Sequence, residues 1–152
     1  MKRRGFMAGL LLAITVRPTW AQEGEKAYRI AYVSPSTPVA KLRSGDVREV
    51  PGTVAFFEEL RKLGYVEGRN LVVELYSGEG NRERYAELAR EVVQGKPDLI
   101  FAQSVALGRG LQSATGTIPI VLMAGDPVAS GYAASLARPG GNITGVSRFC
   151  GI

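Results

Sequence analysis

From residue 28 onward the chain alternates between short, almost wholly apolar runs and stretches whose apolar positions recur every three or four residues. Residues 29–34 (RIAYVS) predict a first strand, and a long loop rich in Pro, Ser and Gly follows as far as Val50. Val54, Phe57, Leu60 and Leu63 then share one helical face, predicting a helix over 51–63 with Gly64 where a left-handed C-cap is wanted. A second strand is expected at 70–76. Asn81 is placed to cap a helix whose stripe is Tyr85, Leu88, Ala89, Val92 and Val93, ended by Gly95, Lys96 and Pro97. The same reading gives strands at 98–103 and 119–124, a helix at 105–114, a further helix from Asp126 and Pro127 to about Ala137, and a last strand at 143–147.

Strands that are apolar on both faces belong to a parallel sheet covered by helices on both sides. The fold class is therefore α/β, a doubly wound, mostly parallel sheet. Right-handed crossovers carry all the strand carboxyl ends to one edge, where such folds bind ligands near the point at which strand order reverses. The residues expected there are 34–36, Gln103 with Ser104, and Gly125 with Asp126.

The first 21 residues have a different character. Lys2, Arg3 and Arg4 precede an apolar run over 6–16, too short to span a bilayer core of about 30 Å, and Thr19 and Ala21 supply small residues before an expected cleavage ahead of Gln22. This is the pattern of a signal peptide. The adjacent Arg3 and Arg4 also fit a twin-arginine export route. No cysteine stands near the cleavage point, so a lipid-anchored N-terminus is not expected, and the mature chain is expected in the periplasm, not spanning the membrane.

Charge looks different once that segment is set aside. The whole chain has 19 Lys plus Arg against 14 Asp plus Glu, a net charge of +5. Removing Lys2, Arg3, Arg4 and Arg17 leaves 15 basic against 14 acidic residues, a net charge of +1. Basicity thus belongs to the export signal, and a nucleic-acid partner is not expected. The chain has no histidine and one cysteine, Cys150. Histidine-based catalytic sets, an internal disulfide and ordinary His-bearing metal sites are thereby excluded; neither catalysis, a cofactor nor a metal site is expected.

Five residues are candidate ligand contacts. Ser34 and Ser36 follow the first strand, where hydroxyls can bond a carboxylate, although Ser is also an ordinary turn former. Gln103 and Ser104 stand where a strand opens into a helix whose free N–H groups suit an anion; Ser104 is equally an N-cap candidate. Asp126 offers a carboxylate to a ligand ammonium, or caps a helix ahead of Pro127. Tyr32 and Phe101 read as core. The glycines at 78, 80, 108 and 110 lack the spacing of a phosphate loop and read as turn or helix features, and residues 140–142 as a turn into the last strand. A flavodoxin-like domain holding a flavin phosphate in the loop 34–38 is the alternative function. Pro35 and Pro38 remove amide donors from that loop and no glycine lets its backbone approach a phosphate.

Residues 63–70 (LGYVEGRN), 118–121 (IPIV), 125–128 (GDPV) and 135–147 (SLARPGGNITGVS) together resemble the ABC-transporter substrate-binding proteins that include aromatic amino-acid binders. The resemblance runs through essentially all of the mature chain. It implies a type I periplasmic-binding fold, two α/β lobes that close on a small solute and deliver it to an ABC permease in the inner membrane. Members are about twice as long, so 22–152 are expected to form the N-terminal solute-binding lobe with the second lobe missing, as in a truncated or frameshifted gene product or a fragment, and activity is not implied along with the family.

Overall fold

The computed structural model describes residues 26–44, 51–124, 128–132, 134 and 141–147. Five strands, β1 (Tyr28–Ser34), β2 (Leu71–Ser77), β3 (Leu99–Ala102), β4 (Ile120–Ala124) and β5 (Ile143–Ser147), form one sheet in the order β2-β1-β3-β4-β5. Every pairing is parallel. The chain leaves β1 for the β2 edge and then crosses back over β1 to β3, so strand order reverses between β1 and β3. That is where a doubly wound sheet leaves a crevice at its carboxyl edge.

Two cores result from the alternation of side chains along buried strands. Ala31 and Val33 face α3 (Tyr85–Gln94) and α4 (Val105–Ala114), packing with Leu88, Val92, Leu107 and Leu111. Ile30 and Tyr32 face α1 (Val39–Ser44) and α2 (Pro51–Lys62), packing with Leu42, Phe56, Phe57 and Leu60. Aromatic rings fill this second core: Phe101 stacks on Phe56 at 4.3 Å between centroids and on Tyr32 at 5.6 Å. Tyr32 and Phe101 are core residues, as their strand positions suggested.

The helices end and approach one another as their sequences dictate. Gly64 closes α2 at φ +91°, its N–H donating to the Arg61 carbonyl while the Tyr65 N–H reaches the Leu60 carbonyl. Asn81 caps a single 3₁₀ turn (Arg82–Arg84) that leads into α3, its side chain accepting from the Glu83 N–H. Gly110 lets α4 lie against α3, since a Cβ there would sit 3.2 Å from the Tyr85 carbonyl oxygen. Gly108, also within α4, would likewise press on the Leu122 methyls at 3.1 and 3.2 Å.

Two expectations need correction. The span between Pro35 and Val50 is not all loop: Val39–Ser44 is helical. A six-residue helix with one buried side chain, Leu42, shows no period along the sequence. The helix expected from Asp126 to Ala137 is not present where that span is described, since residues 128–132 and 134 lie in turns and bends. Gly131 there has φ +77° and its N–H closes a tight turn on the Val128 carbonyl. The Tyr132 hydroxyl donates to the Val105 carbonyl, so an aromatic side chain pins this turn to the start of α4. Among the described residues no helix is long and apolar enough to cross a membrane.

Candidate functional site

At the reversal point, β1 ends in Ser34 and β3 runs into Gln103. Ser34 is 1% exposed, and its hydroxyl accepts the Thr37 N–H at 3.1 Å, which folds the following loop back on itself. Ser36, one turn out, is exposed. The loop is held from the neighbouring strand as well. The Ser34 carbonyl accepts the Gly78 N–H at 2.9 Å, and the Pro35 carbonyl accepts both the Gly80 N–H at 3.0 Å and the Tyr85 hydroxyl at 3.2 Å. Gly78 has to be glycine here, because a Cβ would come within 2.4 Å of the Tyr85 ring and 2.9 Å of the Pro35 carbonyl oxygen. Glycines 78 and 80 are thus turn residues, as expected.

Gln103 continues β3. Its backbone N–H donates to the Val33 carbonyl at 3.3 Å, and strand alternation puts its side chain on the same face as Phe101 and Tyr32, toward α2. There its Nε2 donates to the Thr53 hydroxyl at 2.9 Å. The same hydroxyl lies 3.3 Å from that of Tyr32. Burial pushes the Tyr32 hydroxyl above its ordinary range, against the opposing pull of the Thr53 bond, so it stays protonated through neutral pH. Thr53 was not singled out from the sequence. Its only signal was a position two residues after Pro51 at the start of a helix, which reads as an unremarkable first turn.

Ser104 caps α4: its hydroxyl accepts the Ala106 N–H at 3.2 Å, with extended backbone at Ser104 itself. The other first-turn amides of α4 point toward the carboxyl edge with the positive end of the helix dipole. Of the five sequence candidates, the structure therefore gathers Ser34, Gln103 and Ser104 at the reversal point and leaves Ser36 on the outer surface of the loop. Asp126 lies outside the described residues.

A cavity of about 140 Å³ lies between α1, α2, β1 and β2. Leu42, Phe57, Val73 and Leu75 form its apolar wall, and Tyr32, Thr53, Arg43 and Glu67 complete the lining. Since Tyr32 and Thr53 also belong to the hydrogen-bonded set at the edge, the cavity adjoins Gln103. Among the described residues no three acidic or cysteine side chains cluster to hold a metal ion.

The family model described as "ABC transporter substrate binding protein" matches residues 49–151. The chain belongs to that family. A tyrosine-binding protein of Clostridioides difficile is 34% identical over 98 residues, which cover 64% of this chain and 28% of that protein. Among solved structures, a conserved domain protein from Vibrio cholerae is 30% identical with a TM-score of 0.66, covering 80% of this chain and 39% of that one. The ligand-free, open structure of a Clostridium difficile substrate-binding protein with adhesive properties is 28% identical with a TM-score of 0.65, over 83% of this chain and 40% of the other. A Streptococcus pneumonia ABC domain in complex with L-Trp shares the fold, with a TM-score of 0.63 at 24% identity, and is matched over 39% of its length. The family's chains are thus spanned in part only, 28% of the tyrosine-binding protein and about two fifths of the solved ones. The parallel α/β lobe and the family membership expected from the sequence both hold.

Proposed function

We propose that this chain is the solute-binding part of an ABC import system and that residues 22–152 form the N-terminal lobe of a two-lobed binder. Family membership carries this reading, and the carboxyl edge gives it chemistry. The α4 N-terminus beside Ser104 suits a carboxylate, the Ser34 hydroxyl and the Gln103 carboxamide offer polar contacts nearby, and Asp126 and Ser36 are the further contacts this reading assigns. The adjoining cavity of about 140 Å³ has an apolar wall of Leu42, Phe57, Val73 and Leu75 with Arg43 and Glu67 also lining it, which suits a small side chain of mixed character such as a phenol. The relatives that bind tyrosine or carry L-Trp point the same way, toward an amino-acid-like solute.

Export by the N-terminal signal to the periplasm and delivery to an inner-membrane permease complete the proposal. No enzymatic step is assigned to the chain. A flavin phosphate is poorly served by the loop after β1: Pro35 and Pro38 have no N–H, and the Thr37 N–H is already given to Ser34.

Isothermal calorimetry of the purified protein with L-tyrosine, L-tryptophan and branched amino acids tests the reading. Saturable binding of at least one of them is expected. Absence of heat with every one, from a protein whose circular dichroism shows the α/β fold, would overturn it; a yellow protein with flavin absorbance would favour the flavodoxin-like alternative.

A further inference from the structure

We infer that Thr53, steadied by Tyr32, is a positioning residue that turns the Gln103 carboxamide so that its carbonyl oxygen accepts a hydrogen bond from an N–H donor of the solute. This rests on the solute-binding reading above and narrows it to solutes bearing an amino group.

Three elements meet to make the arrangement. Gln103 ends β3 at the reversal point, with its backbone anchored to β1 through the Val33 carbonyl. Thr53 comes from the first turn of α2 and is 2% exposed, so its hydroxyl has to find partners within the protein. Tyr32 comes from β1 and is 1% exposed, its ring locked against Phe101 and Phe57. A threonine hydroxyl has one proton to give and two lone pairs to receive with. Here it receives from Gln103 Nε2, and its own proton is available to the Tyr32 oxygen. A primary carboxamide that spends its nitrogen inward presents its oxygen on the other side. Among the described residues no donor reaches Gln103 Oε1. That oxygen is left to accept a bond from a solute at the carboxyl edge, the edge at which α4 also begins. An acceptor at the same sheet edge as a helix N-terminus is the pattern that a zwitterion with an ammonium and a carboxylate fits.

A carboxamide turned the other way would instead present its nitrogen and select a second acceptor on the solute. Threonine could serve that orientation by donating to Oε1, so the two arrangements make opposite forecasts. In the one proposed, a proton on Gln103 Nε2 is bonded in a buried place and should exchange slowly with water. Removing the Thr53 hydroxyl should expose it, and should weaken binding of amino-bearing solutes alone.

The experiment has a ligand-free arm and a ligand arm. In ¹⁵N-glutamine-labelled protein, with the Gln103 signal assigned by its loss in Gln103→Glu, one side-chain amide proton is expected to exchange about tenfold more slowly than in Thr53→Val, while Thr53→Ser retains the protection. In calorimetry, Thr53→Val should lose about tenfold in affinity for L-tyrosine but not for its deaminated counterpart 3-(4-hydroxyphenyl)propanoate, and Thr53→Ser should restore it. A wild-type circular-dichroism spectrum and a single cooperative melt of Thr53→Val separate this from misfolding, and Tyr32→Phe serves as a second, independent loosening of the same hydroxyl. Fast exchange in the wild type, or an equal loss for both solutes, would overturn the inference. A wild-type protein that binds no amino acid would sink the solute reading and the ligand role together, whereas the exchange arm needs no ligand and decides the orientation by itself.

Discussion

Asp98 shows how a single side chain can secure a sheet. Its carboxylate accepts the Arg29 backbone N–H at 2.8 Å and lies 3.5 Å from the Lys26 ammonium. The backbone bond first, and then the nearby Lys26 and Arg29 charges, hold Asp98 below the ordinary carboxylate range. Because the folded value is depressed, the stabilisation is complete above the unfolded value of about 3.9 and is lost as pH falls through the folded one. An NMR titration of the Asp98 carboxyl carbon should show a midpoint below that of a model aspartate, and in Asp98→Ala the fall of stability with acid should be shallower below about pH 4. Gly78 makes a steric forecast at the same scale. With an added Cβ 2.4 Å from the Tyr85 ring, Gly78→Ala should destabilise by about 1–3 kcal/mol in urea unfolding and disturb the loop after β1. An unchanged midpoint would mean that the Tyr85 ring yields without cost.

At the level of elements, what the sequence revealed follows from which physical signal each element carries. The α3 stripe of Tyr85, Leu88, Ala89 and Val92 is legible because one face of a ten-residue helix is buried and the other is charged. β1, β3 and β4 are legible because both of their faces are covered. Ser104 is legible as a cap because an extended residue with a hydroxyl opens the helix; Ser104→Ala should cost about 1 kcal/mol, read from the thermal midpoint, and leave Gln103 in place. α1 escaped because one buried leucine in six residues makes no pattern. The helix expected after Asp126 failed because Pro127 and an apolar tail looked like a start, whereas Gly131 and the tie from Tyr132 to α4 make a turn. At the carboxyl edge, the positions of Ser34, Gln103 and Ser104 were legible from strand ends alone. Thr53 was not, since only the fold brings a residue fifty positions away from Gln103 into contact with it.

On the scale of the whole molecule, the start of β5 is tied down by one side chain in addition to its ladder with β4. It forms an edge of the sheet among the described residues, joined to β4 alone, and Val146 stands 57% exposed on it. Edge strands with one neighbour are the parts most ready to detach. Asn142, immediately before β5, opposes this: its Nδ2 donates to the Thr115 carbonyl at 2.9 Å and to the Ile118 carbonyl at 2.8 Å, while its own carbonyl accepts the Ile120 N–H at 2.8 Å. The side chain thus ties the start of β5 to the connection between α4 and β4, and Ile143 beside it is buried in the core. Removing two side-chain hydrogen bonds of ordinary strength costs about 1–3 kcal/mol in sum. In Asn142→Ala the amides of β5 should exchange with solvent faster than those of β1 and β3, and the urea midpoint should fall accordingly. Uniform acceleration across the sheet, with β5 no faster than β3, would show instead that β5 opens only when the whole lobe does, and that its attachment is carried by Ile143 and the β4 ladder rather than by Asn142.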